Sequence, residues 1–112
     1  MGLVDKEKGM YYCANREDIY LRVLKSYYQS TEQYREELPK FYQEDDMEQY
    51  TIAVHALKST SLNIGAESLS ELARRHEIAA KVNDKGTIEE SFEQLMTLLE
   101  AVLEEVQSML AE

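Results

Sequence analysis

The chain has one proline, four glycines and no tryptophan in 112 residues. So few proline and glycine residues leave little material for the tight turns of a sheet-rich fold, while abundant Glu, Leu, Ala and Gln favour helices. A single cysteine, Cys13, excludes an internal disulfide and fits a reducing compartment. It follows two tyrosines in an amphipathic segment, where a small core filler is the expected role. No apolar run approaches the roughly 18 residues of a membrane span, and the N-terminus lacks the apolar core of a signal peptide. A cytoplasmic location is expected. Cations are scarce as well: 12 Lys and Arg stand against 22 Asp and Glu, a net charge of −10. Nucleic-acid binding, which needs a basic patch, is disfavoured, and so is attraction to an anionic membrane. There is no glycine-rich phosphate loop, so no autonomous kinase is expected. The length suits one domain over residues 1–112 with a modest core.

What remains is helical pattern, with no internal repeat. Asp5 is placed to cap a short first helix ending near Cys13 and Ala14. Asn15 is read as the cap of the next, with Glu17 and Asp18 in its first turn. Ile19, Val23, Leu24, Tyr27 and Tyr28 recur at helical spacing, and Ser30 or Thr31 is expected to re-cap a continuation through Tyr34, Leu38 and Phe41. Pro39 inside that continuation should kink or break it. Asp45 and Asp46 form a turn and cap a helix whose stripe reads Met47, Tyr50, Val54, Leu57, Ser61 and Ile64. Gly65 fits a left-handed reversal after that helix. A helix from about Ala66 to Val82 buries Leu69, Leu72, Ala73, His76 and Ala79 or Ala80. Asn83 to Gly86 form a turn, and Thr87 is expected to cap a long last helix carrying Ile88, Phe92, Leu95, Leu99, Val102, Val106 and Met109. Short connections make neighbours antiparallel. The expected architecture is all-α: an up-and-down four-helix bundle with a short extra helix across one end.

The stretch that carries chemistry runs from His55 to Ala66. His55 follows Val54 by one residue, about 100° round the helix, so it lies at the edge of the stripe in a row with Thr51, Lys58 and Leu62. A flank position is supported on one side and open to a partner on the other. Residues three apart share a face, so the Lys58 ammonium reaches an anion attached to the His55 ring. Taken singly, a histidine on an amphipathic helix is usually structural and a lysine usually solvated. The conjunction is what points to a phosphate-carrying side chain: His55, Lys58, the small residues Ala56 and Ser59, then Gly65. His76, on the apolar face, reads as a half-buried packing residue. Arg74 and Arg75 read first as a solvated face, the eight tyrosines as core and rim packing. A metal-carboxylate bundle needs Glu-x-x-His pairs. Ile52 and Ala73 occupy those positions, so no metal site is expected.

The His55–Gly65 segment resembles the signature of histidine-containing phosphotransfer (HPt) domains, roughly His-x-Leu-Lys-Gly-(five residues)-Gly. It resembles in particular the HPt modules at the C-terminal end of bacterial hybrid sensor kinases. Val4-Asp5 through Gly9, Tyr11 to Cys13, Tyr20 and Leu24 resemble the opening of those modules, and Leu69 to Ala73, Glu77 and Ala79-Ala80 their next helix. The likeness covers about residues 3 to 83; the last helix matches in pattern only. Ser59 stands where the family most often has glycine.

That resemblance implies a phosphorelay intermediate. His55 would accept a phosphoryl group from a receiver-domain aspartyl phosphate and pass it to another receiver, with Lys58 screening the dianion. A neutral imidazole suits this, since the free side chain titrates near about 6.5. Glu77 falls where the family often has a residue bonded to the other ring nitrogen; it would orient the ring and raise its basicity. Receivers would dock over Ala56, Ser59, Leu62 and Asn63, and the receiver, not this domain, would hold Mg²⁺. Expected partners are response-regulator receivers and a hybrid histidine kinase, with the domain itself a monomer. The competing reading is a catalytically silent HPt-like adaptor, against which the retention of both His55 and Lys58 counts.

Overall fold

A computed structural model of the protein describes residues 2–112. Among these residues six helices follow one another: α1 (Lys6–Tyr12), α2 (Glu17–Thr31), α3 (Tyr34–Gln43), α4 (Met47–Asn63), α5 (Glu67–Lys81) and α6 (Lys85–Ala111). No strand occurs among the described residues. They pack as an elongated bundle of 40 × 21 × 21 Å, its long dimension close to that of the 27-residue α6 at about 1.5 Å per residue.

Local chemistry explains most of the boundaries. Asp5 caps α1 by accepting from the Lys8 amide, Asp46 caps α4 from the Gln49 amide, and Asp84 caps α6 from the Thr87 amide. The cap of α6 is therefore Asp84 and not Thr87, whose hydroxyl donates to the same carboxylate at 2.6 Å. Asn15 does not cap α2 either. It adopts φ +57° beside Ala14 at +55°, so both residues are used by the turn and Arg16 takes the cap position without a side-chain bond.

The expected second helix is two segments, α2 and α3. Their junction is not capped by Ser30 or Thr31: the Ser30 hydroxyl donates back to the Tyr27 carbonyl, and Thr31 is buried. Pro39 neither breaks nor ends α3, which continues to Gln43. The irregularity lies earlier, at Glu32 and Gln33, where the Arg35 and Glu36 amides each bond a carbonyl three residues back at 3.1 Å. That tightened turn separates α2 from α3. The last helix is also not uniform: Ser91 leaves helical geometry (φ −127°, ψ 15°) and bends α6.

The core is the set of facing stripes. Tyr50, Val54, Leu57, Ser61 and Ile64 of this set are buried, as are Leu69, Leu72 and Ala73 on α5 and Leu95, Leu99, Val102 and Val106 on α6. Leu24 and Leu38 complete it from α2 and α3, and Cys13 is a free, buried thiol at one end. Every buried side-chain N and O among the described residues has a partner, so the interior carries no orphaned polar group.

α4 and α5 make the most extensive contact in the bundle. Gly65, at φ +91°, reverses the chain between them. A Cβ there would collide with the Asp5 carbonyl oxygen, because the Asp5 amide donates to the Gly65 carbonyl at 2.9 Å and lays α1 over this turn. The Tyr20 hydroxyl donates to the Ile64 carbonyl at 2.9 Å. The turn at the C-terminal end of α4, the helix that carries His55, is thereby pinned from two sides.

Candidate functional site

The face shared by α4 and α5 gathers His55, Lys58 and Glu77. The Ser70 hydroxyl donates to the Lys58 carbonyl at 2.7 Å, which sets the offset of the two helices. With that offset, Glu77 projects from α5 to the foot of the His55 ring. Its side chain is only 4 % exposed, while that of His55 is 59 % exposed.

Three groups converge on the Glu77 carboxylate. Oε2 lies 2.6 Å from His55 Nδ1 and 3.2 Å from Lys81 Nζ, and Oε1 lies 2.8 Å from Lys58 Nζ. Burial pushes the Glu77 carboxyl up, but hydrogen bonds from Lys58, His55 and Lys81 outweigh it and hold the group down at about 2. Glu77 is thus ionised at neutral pH and accepts only. Nδ1 must therefore carry its hydrogen towards Glu77, and in the neutral ring the lone pair resides on Nε2. The outcome is an exposed imidazole fixed in tautomer and orientation, with Nε2 as its unprotonated nitrogen.

Lys58 is nearer to Glu77 than a free countercharge would be; its side chain is 29 % exposed. Of the remaining site residues, Ala56 is half-buried and Ser59, Leu62 and Asn63 are exposed. Ser59 and Leu62 line a shallow groove with Lys58, Glu71 and Arg74. Arg74 and Arg75 are both drawn to Glu71, at 2.5 Å and 3.5 Å.

Two further residues, Lys81 and His76, make contacts that the sequence reading did not assign. Lys81 stands one helical turn beyond Glu77, and that four-residue spacing is the signal that finds it. The other is His76, which is buried outright (1 % exposed), not half-buried. Its Nδ1 pairs with the Tyr50 hydroxyl at 2.7 Å and its Nε2 with the Ser91 hydroxyl at 2.9 Å, at the bend of α6. Burial pushes the His76 imidazole down to about 4 and the Tyr50 phenol up. Nothing in sequence spacing announces a contact across three helices.

Among the described residues no helix is long and apolar enough to cross a membrane, and no three or more His, Cys, Asp or Glu side chains gather as metal ligands. The bundle thus presents one oriented imidazole on its flank. The comparison with family models gives the class its name: the Hpt domain model matches residues 22–109, and the chain belongs to the Hpt domain family. Hpt domains are phosphocarriers of two-component signalling that interact with receiver domains and kinases. The matched region begins inside α2, so α1 lies outside it. No curated protein and no solved structure matches the chain.

Proposed function

We propose that this chain is a phosphorelay intermediate whose acceptor atom is His55 Nε2. The observation that carries the reading is the 2.6 Å contact between Glu77 and Nδ1 beneath an exposed ring. In the proposed step the Nε2 lone pair attacks the phosphorus of a receiver's aspartyl phosphate. An N–P bond forms, the acyl O–P bond breaks, and its electron pair returns to the aspartate carboxylate. Nδ1 keeps its hydrogen, shared with Glu77, so no general base is needed. The reverse attack by a second receiver's aspartate discharges the ring. Lys58 neutralises the phosphoryl oxygens, and Mg²⁺ held by the receiver neutralises the rest.

The receiver docks over Ala56, Ser59, Leu62 and Asn63, where small and exposed side chains give close access. We read the bundle as up-and-down and antiparallel, with α2 and α3 together forming one of four rods. The domain works as a monomer in the cytoplasm, has no kinase activity of its own and serves a hybrid histidine kinase.

The test is transfer from a phosphorylated receiver to the wild type and to His55→Gln. Acid-labile, alkali-stable phosphate on the wild type alone is the expected result. A folded wild type that takes no phosphate from a panel of receivers overturns the reading in favour of a silent adaptor.

A further inference from the structure

Lys81 is the cation that the phosphocarrier reading leaves without a task. On an exposed helix, a Glu-to-Lys pair four residues apart is a weak, solvent-screened contact with no further meaning. Here the acceptor is different: Glu77 is 4 % exposed, and the oxygen that meets Lys81 is the same Oε2 that holds His55 Nδ1. The two distances to that shared atom, 2.6 Å and 3.2 Å, together limit the separation of Lys81 Nζ from Nδ1 to at most 5.8 Å. The Lys81 side chain is itself 61 % exposed, so its ammonium is free to move on a flexible stem. Arg74 and Arg75, the other cations of this helix face, are instead turned to Glu71.

Charge balance gives the arrangement a purpose. One carboxylate facing two ammonium groups and a neutral ring leaves the cluster with one surplus positive charge, in a chain whose net charge is −10. Attack by Nε2 with retention of the Nδ1 hydrogen produces a singly positive ring bearing a dianionic phosphoryl group, a net addition of one negative charge. The four-residue cluster then becomes neutral. Without Lys81 it ends with an unbalanced negative charge beside a buried carboxylate.

Building on the phosphocarrier reading, we propose that Lys81 is a second phosphoryl-contact residue: its ammonium, with that of Lys58, swings from Glu77 to the phosphoryl oxygens when His55 is charged. Glu77 then serves as the resting place of both lysines as well as the partner of the ring.

The experiment uses the full chain and the small-molecule donor phosphoramidate, which removes receiver docking from the readout. Wild type, Lys81→Met and Lys81→Arg are compared by rate of phosphorylation and by a ³¹P NMR pH titration of the phosphohistidine. Lys81→Met is expected to slow acceptance about fivefold, the size of one partly screened ion contact, and to raise the pH at which the phosphoryl group takes its last proton. Lys81→Arg is expected to restore both, with the urea midpoint unchanged throughout. Identical rates and titrations in wild type and Lys81→Met overturn the proposal and reduce Lys81 to a helix-surface pair. A loss that Lys81→Arg does not restore, accompanied by a lower urea midpoint, overturns it in favour of a folding role. If the wild type itself acquires no phosphate on His55, the phosphocarrier reading fails and this proposal with it.

Discussion

The two histidines of this protein sit on facing helices and have opposite chemistry. His55 is mostly exposed and bonded to a carboxylate; His76 is buried and bonded to two hydroxyls. An ionised acceptor fixes the tautomer of the first and leaves its other nitrogen in solvent. Neutral partners and burial keep the second uncharged and lock three helices together. Glu77 follows His76 directly on α5, so one helix delivers a core polar residue and a site residue in adjacent positions. The difference teaches that a histidine's role is set by its partner's charge and by its access to water, and not by its helical setting, which the two share.

The sharpest way to break the comparison is to remove each ring. His55→Gln is expected to abolish phosphoryl acceptance with a smaller loss of stability than His76→Ala, because the His55 ring is exposed and Lys58 and Lys81 still hold Glu77. His76→Ala should do the reverse. It opens a cavity and strands the Tyr50 hydroxyl, so a loss of about 2–4 kcal/mol in urea unfolding is expected, with acceptance kept by the folded fraction. Loss of acceptance in both variants at equal stability would erase the distinction.

Acid separates the two by their windows. The His76 imidazole titrates at about 4 in the folded protein against an ordinary value of 6.5, so the unfolded chain binds the extra proton first. Stability therefore falls as pH drops from 6.5 to 4 and levels below, by at most about 3 kcal/mol at 1.36 kcal/mol per unit. Glu77 has the opposite sense of partner. Its folded value of about 2 lies below the ordinary 4.5. Its contribution is intact above 4.5 and is lost as pH falls through 2. Urea midpoints measured across this range should show the upper slope vanish in His76→Ala and the lower one shrink in Glu77→Gln.

The smallest effect in this series concerns the partner of the ring. Glu77→Gln keeps the side chain's size and an acceptor for Nδ1 but removes the charge that holds Lys58 and Lys81. Slower acceptance, by about tenfold, is expected from the loss of such a supporting partner. A wild-type rate in this variant would mean that the contact, and not the charge, orients His55.

The order of the helices, the stripe on α4, the Asp46 cap, the reversal at Gly65 and the row shared by His55 and Lys58 were legible in the sequence. All of these depend on residues one turn or less apart, where helical period and capping chemistry act directly. The N-caps of α2 and α6 shifted by a single residue or a few, because Asn15 was taken by a left-handed turn and Asp84 outreached Thr87. The tertiary structure alone decided the rest. It put the junction of α2 and α3 at Glu32–Gln33 and not at Pro39, sealed His76 between Tyr50 and Ser91, and brought Lys58 alongside Lys81 at one buried carboxylate. Except for the Lys81–Glu77 pair, which lies within α5, those contacts depend on the rotation and offset of one helix against another. The apolar stripe of a single helix sets its rotation only to within a residue, and the offset of α4 and α5 is settled by packing and by the Ser70–Lys58 bond, which no local spacing records.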